Sequence, residues 1–350
     1  MAKDFSQEAG LDYSETFSPV VKPSIVRLVL ALSATFGWQL QQLDVKNAFL
    51  HGILHEEVYM SQPLGFIDSE NPNLVCKLHK SLYGLKQAPR AWNDRFTQFL
   101  PSLGFKASHA DPSLFVLKEA DSLVFLLLYV DDIIITGSHS TVIQMVIDQL
   151  SKEFDMKHLG ALHYFLGLQI QYPSNGIFIH QSKYIHHVLM KANLLDCKPC
   201  VMPYHPNHKL LKDDNFPYSD PAHFHSIVGA LQYLTFTRPN IAYVVHQVCQ
   251  FMHSPLDTHY LAVKRILRYL KGTIGHGLLY KKGSLDLTAY TDANWACDPN
   301  YCRSTTDFVV FLGSNPVSWS SKKQQSVYRS STEVEYRVMA VTAAEVVWLH

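Results

Sequence analysis

Two adjacent carboxylates interrupt an apolar run in the stretch Phe125-Leu126-Leu127-Leu128-Tyr129-Val130-Asp131-Asp132-Ile133-Ile134-Ile135. Runs of this length, rich in β-branched residues, predict two buried strands with the Asp pair at the turn between them. Neighbouring anions at the mouth of a core repel each other and lose hydration. The pair must therefore be protonated, solvated in an ordinary Asp-Asp turn, or neutralised by a cation. The pattern Tyr-x-Asp-Asp within strand-turn-strand favours a divalent cation.

The bulk composition indicates a globular protein of two or three domains, since the chain has 350 residues and is 47% hydrophobic. Six cysteines, no signal peptide and no apolar run near the roughly 20 residues of a membrane span predict a reduced, intracellular protein without a membrane segment. Thirty basic and thirty acidic residues cancel. A nucleic-acid-binding function would therefore need a local basic patch.

Four residues offer zinc-type ligands within a short, Pro-rich stretch: Cys197, Cys200, His205 and His208. A zinc finger separates its second Cys from its first His by about 12 residues. Here only the four residues 201–204 lie between them. The spacing argues against zinc.

The segment before the hairpin predicts a buried helix over residues 23–36, followed by a strand over 38–45 that delivers Asp44 and a turn into a short helix. Considered alone, Asp44 fits a helix cap. Short strands are predicted at residues 58–60 and 75–78, and a further strand at 111–117.

A helix starting at Pro89 is predicted to bury Trp92, Phe96, Phe99 and Leu100. The polar side chains near its N-terminus are Lys86, Gln87 and Arg90. They form either a phosphate site or a solvated helix end.

After the hairpin, the pattern predicts a helix from about residue 140, one strand over 162–170, and a return strand over 177–179 after the turn Asn175-Gly176. Five prolines in residues 196–222 indicate a connector. Helices are predicted at residues 227–236, 241–252 and 258–271. The last of these carries a basic patch of Lys264, Arg265, Arg268 and Lys271, which is either a grip on a duplex backbone or a solvated face.

At the end of the chain, residues 285–292 predict a strand, 308–312 with 317–319 a hairpin, and Ser331 the start of a helix. Two glutamates fit a capping box there. Glu335 shares an apolar stripe with Met339, Thr342, Val346 and Leu349, whereas Glu333 faces solvent.

The hairpin box resembles the catalytic box of reverse transcriptases, and nearly the whole chain is similar to the polymerase of copia-type retrotransposons. Asp44 followed five residues later by Phe49 resembles the family's first catalytic box, residues 81–92 a later one, and Phe165-Leu166-Gly167 its primer grip. Residues 227–279 resemble the region joining polymerase to ribonuclease. Thr291-Asp292-Ala293-Asn294-Trp295 resembles the opening of a retroelement ribonuclease H.

This resemblance implies RNA-directed DNA synthesis from deoxynucleoside triphosphates on an RNA template and a DNA primer. Asp44, Asp131 and Asp132 would hold two Mg²⁺ ions, with Mn²⁺ as an alternative. Phe49 would exclude a 2′-hydroxyl. The remaining implied contacts are Lys86, Gln87, Arg90 and Tyr129 for the substrate, and Phe165, Leu166, Gly167, Lys264, Arg265, Arg268 and Lys271 for the primer or duplex.

We interpret the fold as α+β. It would comprise a reverse-transcriptase palm with partial fingers at 1–195, a linker and helical thumb or connection at 196–283, and a partial ribonuclease H-like domain at 284–350. In the last, Asp292 and Glu335 would be vestigial metal ligands, because the family's other acids lie on later elements. The chain is expected to be truncated at both ends, and ribonuclease activity is not expected.

Two alternatives stay open: a catalytically dead retroelement fragment that at most binds nucleic acid, and a metal-independent scaffold. By resemblance, the protein is expected in a cytoplasmic particle or the nucleus. The sequence leaves its oligomeric state open.

Overall fold

The computed structural model describes residues 7–119, 121–205, 209–213 and 216–350. Within them the α-helices are α1 Pro23–Phe36, α2 Ala88–Phe99, α3 Ser140–Glu153, α4 Ser182–Lys191, α5 Pro221–Leu234, α6 Ala242–Cys249, α7 Asp257–Gly272 and α8 Ser331–Leu349. The strands are β1 Gln41–Val45, β2 Ile53–Ser61, β3 Val75–Lys80, β4 Lys106–Ala107, β5 Leu114–Glu119, β6 Ser122–Tyr129, β7 Asp132–Gly137, β8 Met156–Ala161, β9 Tyr164–Phe165, β10 Leu168–Gln171, β11 Ile177–His180, β12 Gly277–Tyr280, β13 Leu287–Asn294, β14 Thr305–Leu312 and β15 Asn315–Lys323.

Chain contacts divide the molecule into two compact units. The first holds the described residues of Met1–Val26 and Trp38–Leu162, and the second holds Arg27–Gly37 and His163–His350. The predicted domain limits at residues 195 and 283 remain predictions. In the described ranges, no helix is both long and apolar enough to cross a membrane.

The first unit is built on an antiparallel sheet in the order β4-β5-β6-β7-β1-β8. Its two central strands carry the apolar run, and nearly every residue from Val124 to Ile135 outside the turn is buried. The predicted buried hairpin is therefore confirmed. Burial on both faces explains why the sequence shows a continuous apolar run and no alternation.

Helices α2 and α3 pack against this sheet in one core. Pro89 lies in the first turn of α2, where its missing N–H costs nothing. Trp92, Phe96 and Leu100 are buried as the helical spacing predicts. Strands β2 and β3 pair separately and enclose a small cluster of Leu54, Val58, Leu85 and Ala88.

The second unit contains a sheet in the order β12-β11-β10-β9 and a helical core formed by α4, α5, α6 and α7. The single strand predicted over residues 162–170 is wrong. Leu166 and Gly167 have φ values of 48° and 69°, and Phe165 pairs with Leu168 across the turn. Two successive positive φ values make a tight hairpin turn, so the alternating pattern belongs to two short strands.

The end of the chain forms a sheet in the order β13-β14-β15, and α8 contacts β13 and β14. Ser330 and Glu333 make the predicted capping box. The stripe predicted for α8 is partly wrong, because Val334, Val338 and Thr342 are buried whereas Met339 is 46% exposed. Glu335 is half-buried beside that stripe and is not part of it.

Candidate active site

Three acidic residues meet at one end of the β6-β7-β1 sheet. Asp44 of β1 lies directly opposite Asp132 of β7 in the antiparallel ladder, and Tyr129 closes the hairpin opposite the same residue. Asp131 occupies the turn, where its carbonyl accepts a 2.9 Å hydrogen bond from the Val45 N–H. Directly paired residues share a face of a sheet. The Asp44 and Asp132 side chains therefore lie on the same face.

Burial and like charge both act on Asp132. Its pKa is raised, first by burial, and further by the charges of Asp131 and Asp44, while a hydrogen bond from Gln42 opposes the shift. The Gln42 amide donates to Asp132 Oδ1 over 3.0 Å. A half-buried acid near two others gains from a neutralising cation. Gln42 was not predicted, since its contact depends on the pairing of two strands distant in sequence.

Tyr83 connects the acids to Phe49. Burial raises the pKa of the Tyr83 hydroxyl, and the charges of Asp131 and Asp44 raise it further. The rings of Phe49 and Tyr83 lie 4.8 Å apart, centroid to centroid. Phe49 is half-buried, packs against the cores on either side, and has its carbonyl bound by the Ser81 hydroxyl. Phe49 therefore contacts Tyr83, whose hydroxyl lies in the electrostatic field of the Asp131 and Asp44 carboxylates.

The donor chemistry of this end of the sheet fits a hard divalent cation, because carboxylate oxygens are the ligands that Mg²⁺ takes. As the side chains stand, however, no three His, Cys, Asp or Glu groups in the described parts of the chain form a ready metal site. To share an ion these side chains would have to lie closer together than they do here. A bound cation would then offset the burial and the negative charge that raise the pKa of Asp132.

The three polar residues predicted beside α2 are already engaged by the segment before α1. Lys86 Nζ donates to the Gln7 carbonyl over 3.1 Å, and the buried Gln87 side chain donates to the Asp12 carbonyl over 3.0 Å. Arg90 pairs with Glu15 at 2.9 Å. Sequence reasoning missed this cover, since nothing local to residues 7–15 indicates where they lie.

The predicted primer grip, Phe165-Leu166-Gly167, spans the end of β9 and the turn into β10, with Phe165 buried. On α7, two of the four predicted duplex contacts donate to backbone carbonyls of residues 195–198, where the connector begins. Arg268 Nε donates to the Lys198 carbonyl over 2.8 Å, and Lys271 donates to the Leu195 carbonyl. Lys264 lies 4.9 Å from the Tyr260 ring centroid.

Among the described residues, Cys197, Cys200 and His205 belong to no group of three side chains that could hold a metal. Cys200 Sγ lies 3.3 Å from the carbonyls of Met202 and Arg265. His208 lies outside the described residues.

A second acidic pair lies on the C-terminal sheet. Asp292 of β13 is exposed and lies directly opposite Asp307 of β14. The pKa of Asp307 is raised, first by burial, with hydrogen bonds from Ser321 and Asn294 opposing and the charge of Asp292 adding to the shift. The sequence pattern missed this neighbour of Asp292. Glu335 lies on α8 and, within the described ranges, joins no three-residue metal group with these acids.

Comparison with known proteins identifies the family to which the chain belongs. Residues 1–206 match the family described as reverse transcriptase (RNA-dependent DNA polymerase), so the chain belongs to that family. The family acts with divalent metal ions on a nucleic-acid template and primer.

The particular relatives are Pol polyproteins of copia-type transposons, as the sequence resemblance indicates. The full chain is 49% and 47% identical to the retrovirus-related Pol polyproteins from transposons RE1 and RE2 of Arabidopsis thaliana. It is 40% identical to that from transposon TNT 1-94 of Nicotiana tabacum. The chain covers 24%, 24% and 27% of these relatives, about a quarter of their length.

Proposed function

We propose that this chain catalyses RNA-directed DNA synthesis from deoxynucleoside triphosphates, with Asp44, Asp131 and Asp132 as its catalytic carboxylates. The observation that carries the proposal is the direct pairing of Asp44 with Asp132, beside a turn that presents Asp131. An ordinary Asp-Asp turn would not need a third acid delivered by another strand. Membership of the reverse transcriptase family supports the same assignment.

The three carboxylates would hold two Mg²⁺ ions, or Mn²⁺ in their place. When bound, such ions lower the pKa of the primer 3′-hydroxyl and offset the charge of the triphosphate and leaving group. Asp131 and Asp44 would supply the negative charge to hold the ions, and Gln42 keeps one oxygen of Asp132 turned to a fixed direction. Phe49, braced by Tyr83, would exclude a ribose 2′-hydroxyl by size.

The finer architecture is part of this proposal. Residues 1–195 would form palm and partial fingers, 196–283 the linker and thumb or connection, and 284–350 part of a ribonuclease H-like domain. Tyr129, Lys86, Gln87 and Arg90 would contact the nucleotide after residues 7–15 withdraw. The primer or duplex would contact Phe165, Leu166, Gly167, Lys264, Arg265, Arg268 and Lys271.

Primer extension with the purified chain tests the proposal. An oligodeoxynucleotide primer on a homopolymer RNA template should be extended in Mg²⁺ and not in a chelator. Asp44→Asn should abolish extension, whereas Asp148→Asn, an exposed acid of α3 bound only to Gln144 among the contacts described, should not change it. Extension that survives Asp44→Asn would refute the assignment.

A second candidate is a nucleic-acid-binding fragment without catalysis. It is favoured by the engagement of Lys86, Gln87 and Arg90 with residues 7–15. Retention of a labelled primer-template by a wild-type chain that never extends it would support this reading instead.

A further inference from the structure

A buried tryptophan of α2 is bonded to the turn that presents Asp131. Trp92 is 1% exposed, and its indole Nε1–H donates to the Val130 carbonyl over 2.6 Å. The ring is fixed on its other sides by Phe96 at 5.3 Å and Phe154 at 5.4 Å between centroids. Because the ring is enclosed on these sides, its N–H is held pointing at the hairpin turn.

The Trp92 bond matters because Val130, the first central residue of the turn, is poorly suited to the backbone conformation that the turn requires. Val130 has φ 54°, and Asp131 does not share the positive φ. A two-residue hairpin turn with positive φ at the first central position favours glycine there. For a β-branched residue this conformation is an outlier that persists only where the surroundings fix it.

Both central peptide groups of the turn are held from outside the hairpin. The Val130 carbonyl accepts from Trp92, and the Asp131 carbonyl accepts from the Val45 N–H over 2.9 Å. Val45 follows Asp44, so the second bond fixes the turn to the strand that carries the third acid. The first bond fixes it to α2.

We propose that Trp92 is a positioning residue, whose indole N–H keeps the strained Val130-Asp131 turn in the conformation that presents Asp131 toward Asp44. The catalytic consequence rests on the proposed polymerase function, whereas the structural claim does not. Trp92 does not touch the reacting atoms. It acts through the turn, and a phenylalanine in its place would remove the donor while keeping one aromatic ring in the cluster, with some loss of packing where the larger indole lies.

The structural claim is tested without any activity measurement. In a ¹⁵N-labelled chain, the indole resonance that disappears in Trp92→Phe should exchange slowly with deuterium, because its hydrogen is buried and bonded. Backbone amide resonances of residues 129–133 should shift more in Trp92→Phe than in Phe96→Leu, a packing change in the same aromatic cluster. Turn resonances that match the wild type in Trp92→Phe would overturn the proposal.

Kinetics test the consequence. Trp92→Phe should lower kcat about tenfold, the effect of a lost hydrogen bond near 1.4 kcal/mol, with KM for the nucleotide within about twofold. Adding Val130→Gly, which adopts positive φ without strain, should recover part of that loss. Phe96→Leu should lower the melting temperature without this kcat effect.

The two possible failures are distinguishable. An active enzyme whose kcat is unchanged by Trp92→Phe overturns the positioning role. A wild-type chain that does not extend a primer at all refutes the proposed function, while the resonance comparison still decides whether Trp92 holds the turn.

Discussion

The Asp131-Asp132 turn and the Asp292-Asp307 pair are both neighbouring acids on antiparallel sheets, yet their surroundings differ. The first pair lies at the end of two buried strands, with a third acid opposite, and the turn carbonyls accept hydrogen bonds from the Val45 N–H and the Trp92 indole. In the second pair, Asp292 lies on a strand whose alternate residues are exposed, and its partner Asp307 on the next strand accepts a hydrogen bond from Asn294.

The difference teaches that paired acids alone do not define a metal site. A metal site needs acids from separate elements that point to one position. It also needs a surrounding structure rigid enough to keep those acids close together despite their mutual repulsion. The hairpin has three acids at one end of a buried sheet, whereas the C-terminal pair has two, one exposed and the other hydrogen-bonded by Asn294.

The largest effect is expected from a substitution in the buried core that supports the Asp131-Asp132 turn. Ile133 follows Asp132 and is fully buried, so Ile133→Ala should cost about 2–5 kcal/mol of unfolding free energy. Tyr290 lies two residues before Asp292 and is 63% exposed. Tyr290→Ala should therefore cost much less unfolding free energy. Denaturant unfolding measures both. Equal losses would remove the contrast between the surroundings of the two acidic pairs.

The next effect concerns specificity. Phe49→Val should raise the incorporation of ribonucleotides relative to deoxynucleotides at least about tenfold, because the shortened side chain no longer fills the space of a 2′-hydroxyl. Leu50→Val, at the neighbouring exposed position, should leave the ratio unchanged. An active Phe49→Val enzyme with the wild-type ratio would show that Phe49 only packs.

A smaller effect concerns pH. Raised carboxyl pKa values mean that the folded chain keeps its protons at pH values where the unfolded chain has lost them, so Asp132 and Asp307 both reduce stability as pH rises through that window. Asp132→Asn and Asp307→Asn should each raise the melting temperature at neutral pH and not at about pH 4.

Magnesium separates the two sites in the same experiment. Mg²⁺ should stabilise the wild type and Asp307→Asn, since a bound ion favours the charged carboxylates, and should stabilise Asp132→Asn less. An equal response of all three chains to Mg²⁺ would contradict a metal site at the hairpin.

The smallest expected effect is that of Asp292→Asn on ribonuclease activity, where we expect no change. The purified chain should not hydrolyse the RNA strand of a hybrid, and Asp292→Asn should change nothing, because a two-metal site needs several convergent carboxylates. Hydrolysis abolished by Asp292→Asn would instead mean that Asp307, directly opposite, helps to complete a site.

Local structure could be predicted where a single stretch of sequence determines it. The apolar run fixed the positions of β6 and β7, Pro23 and Gly37 bounded α1, and Ser330 with Glu333 marked the start of α8. The β9-β10 hairpin was not predictable from alternation, since Leu166 gives no sign of its positive φ. Helix α4 went unpredicted, although Ile185, Val188 and Leu189 have helical spacing.

Tertiary contacts of the site were beyond the sequence pattern. Asp44 was found through its resemblance to a catalytic box, but Gln42, Tyr83 and Trp92 act on the acids from positions that no local rule connects to them. The same holds for residues 7–15, which bind the polar residues near α2.

The central claim is that Asp131 belongs to a metal-dependent polymerase site and Asp292 does not. The most direct measurement is primer extension on a homopolymer RNA template in Mg²⁺ by the wild type, Asp131→Asn and Asp292→Asn in parallel. We expect Asp292→Asn to match the wild type and Asp131→Asn to lose activity by about three orders of magnitude or more, the scale on which the lost charge acts in such sites. Asp131→Asn that extends the primer within a few-fold of the wild type would contradict the account.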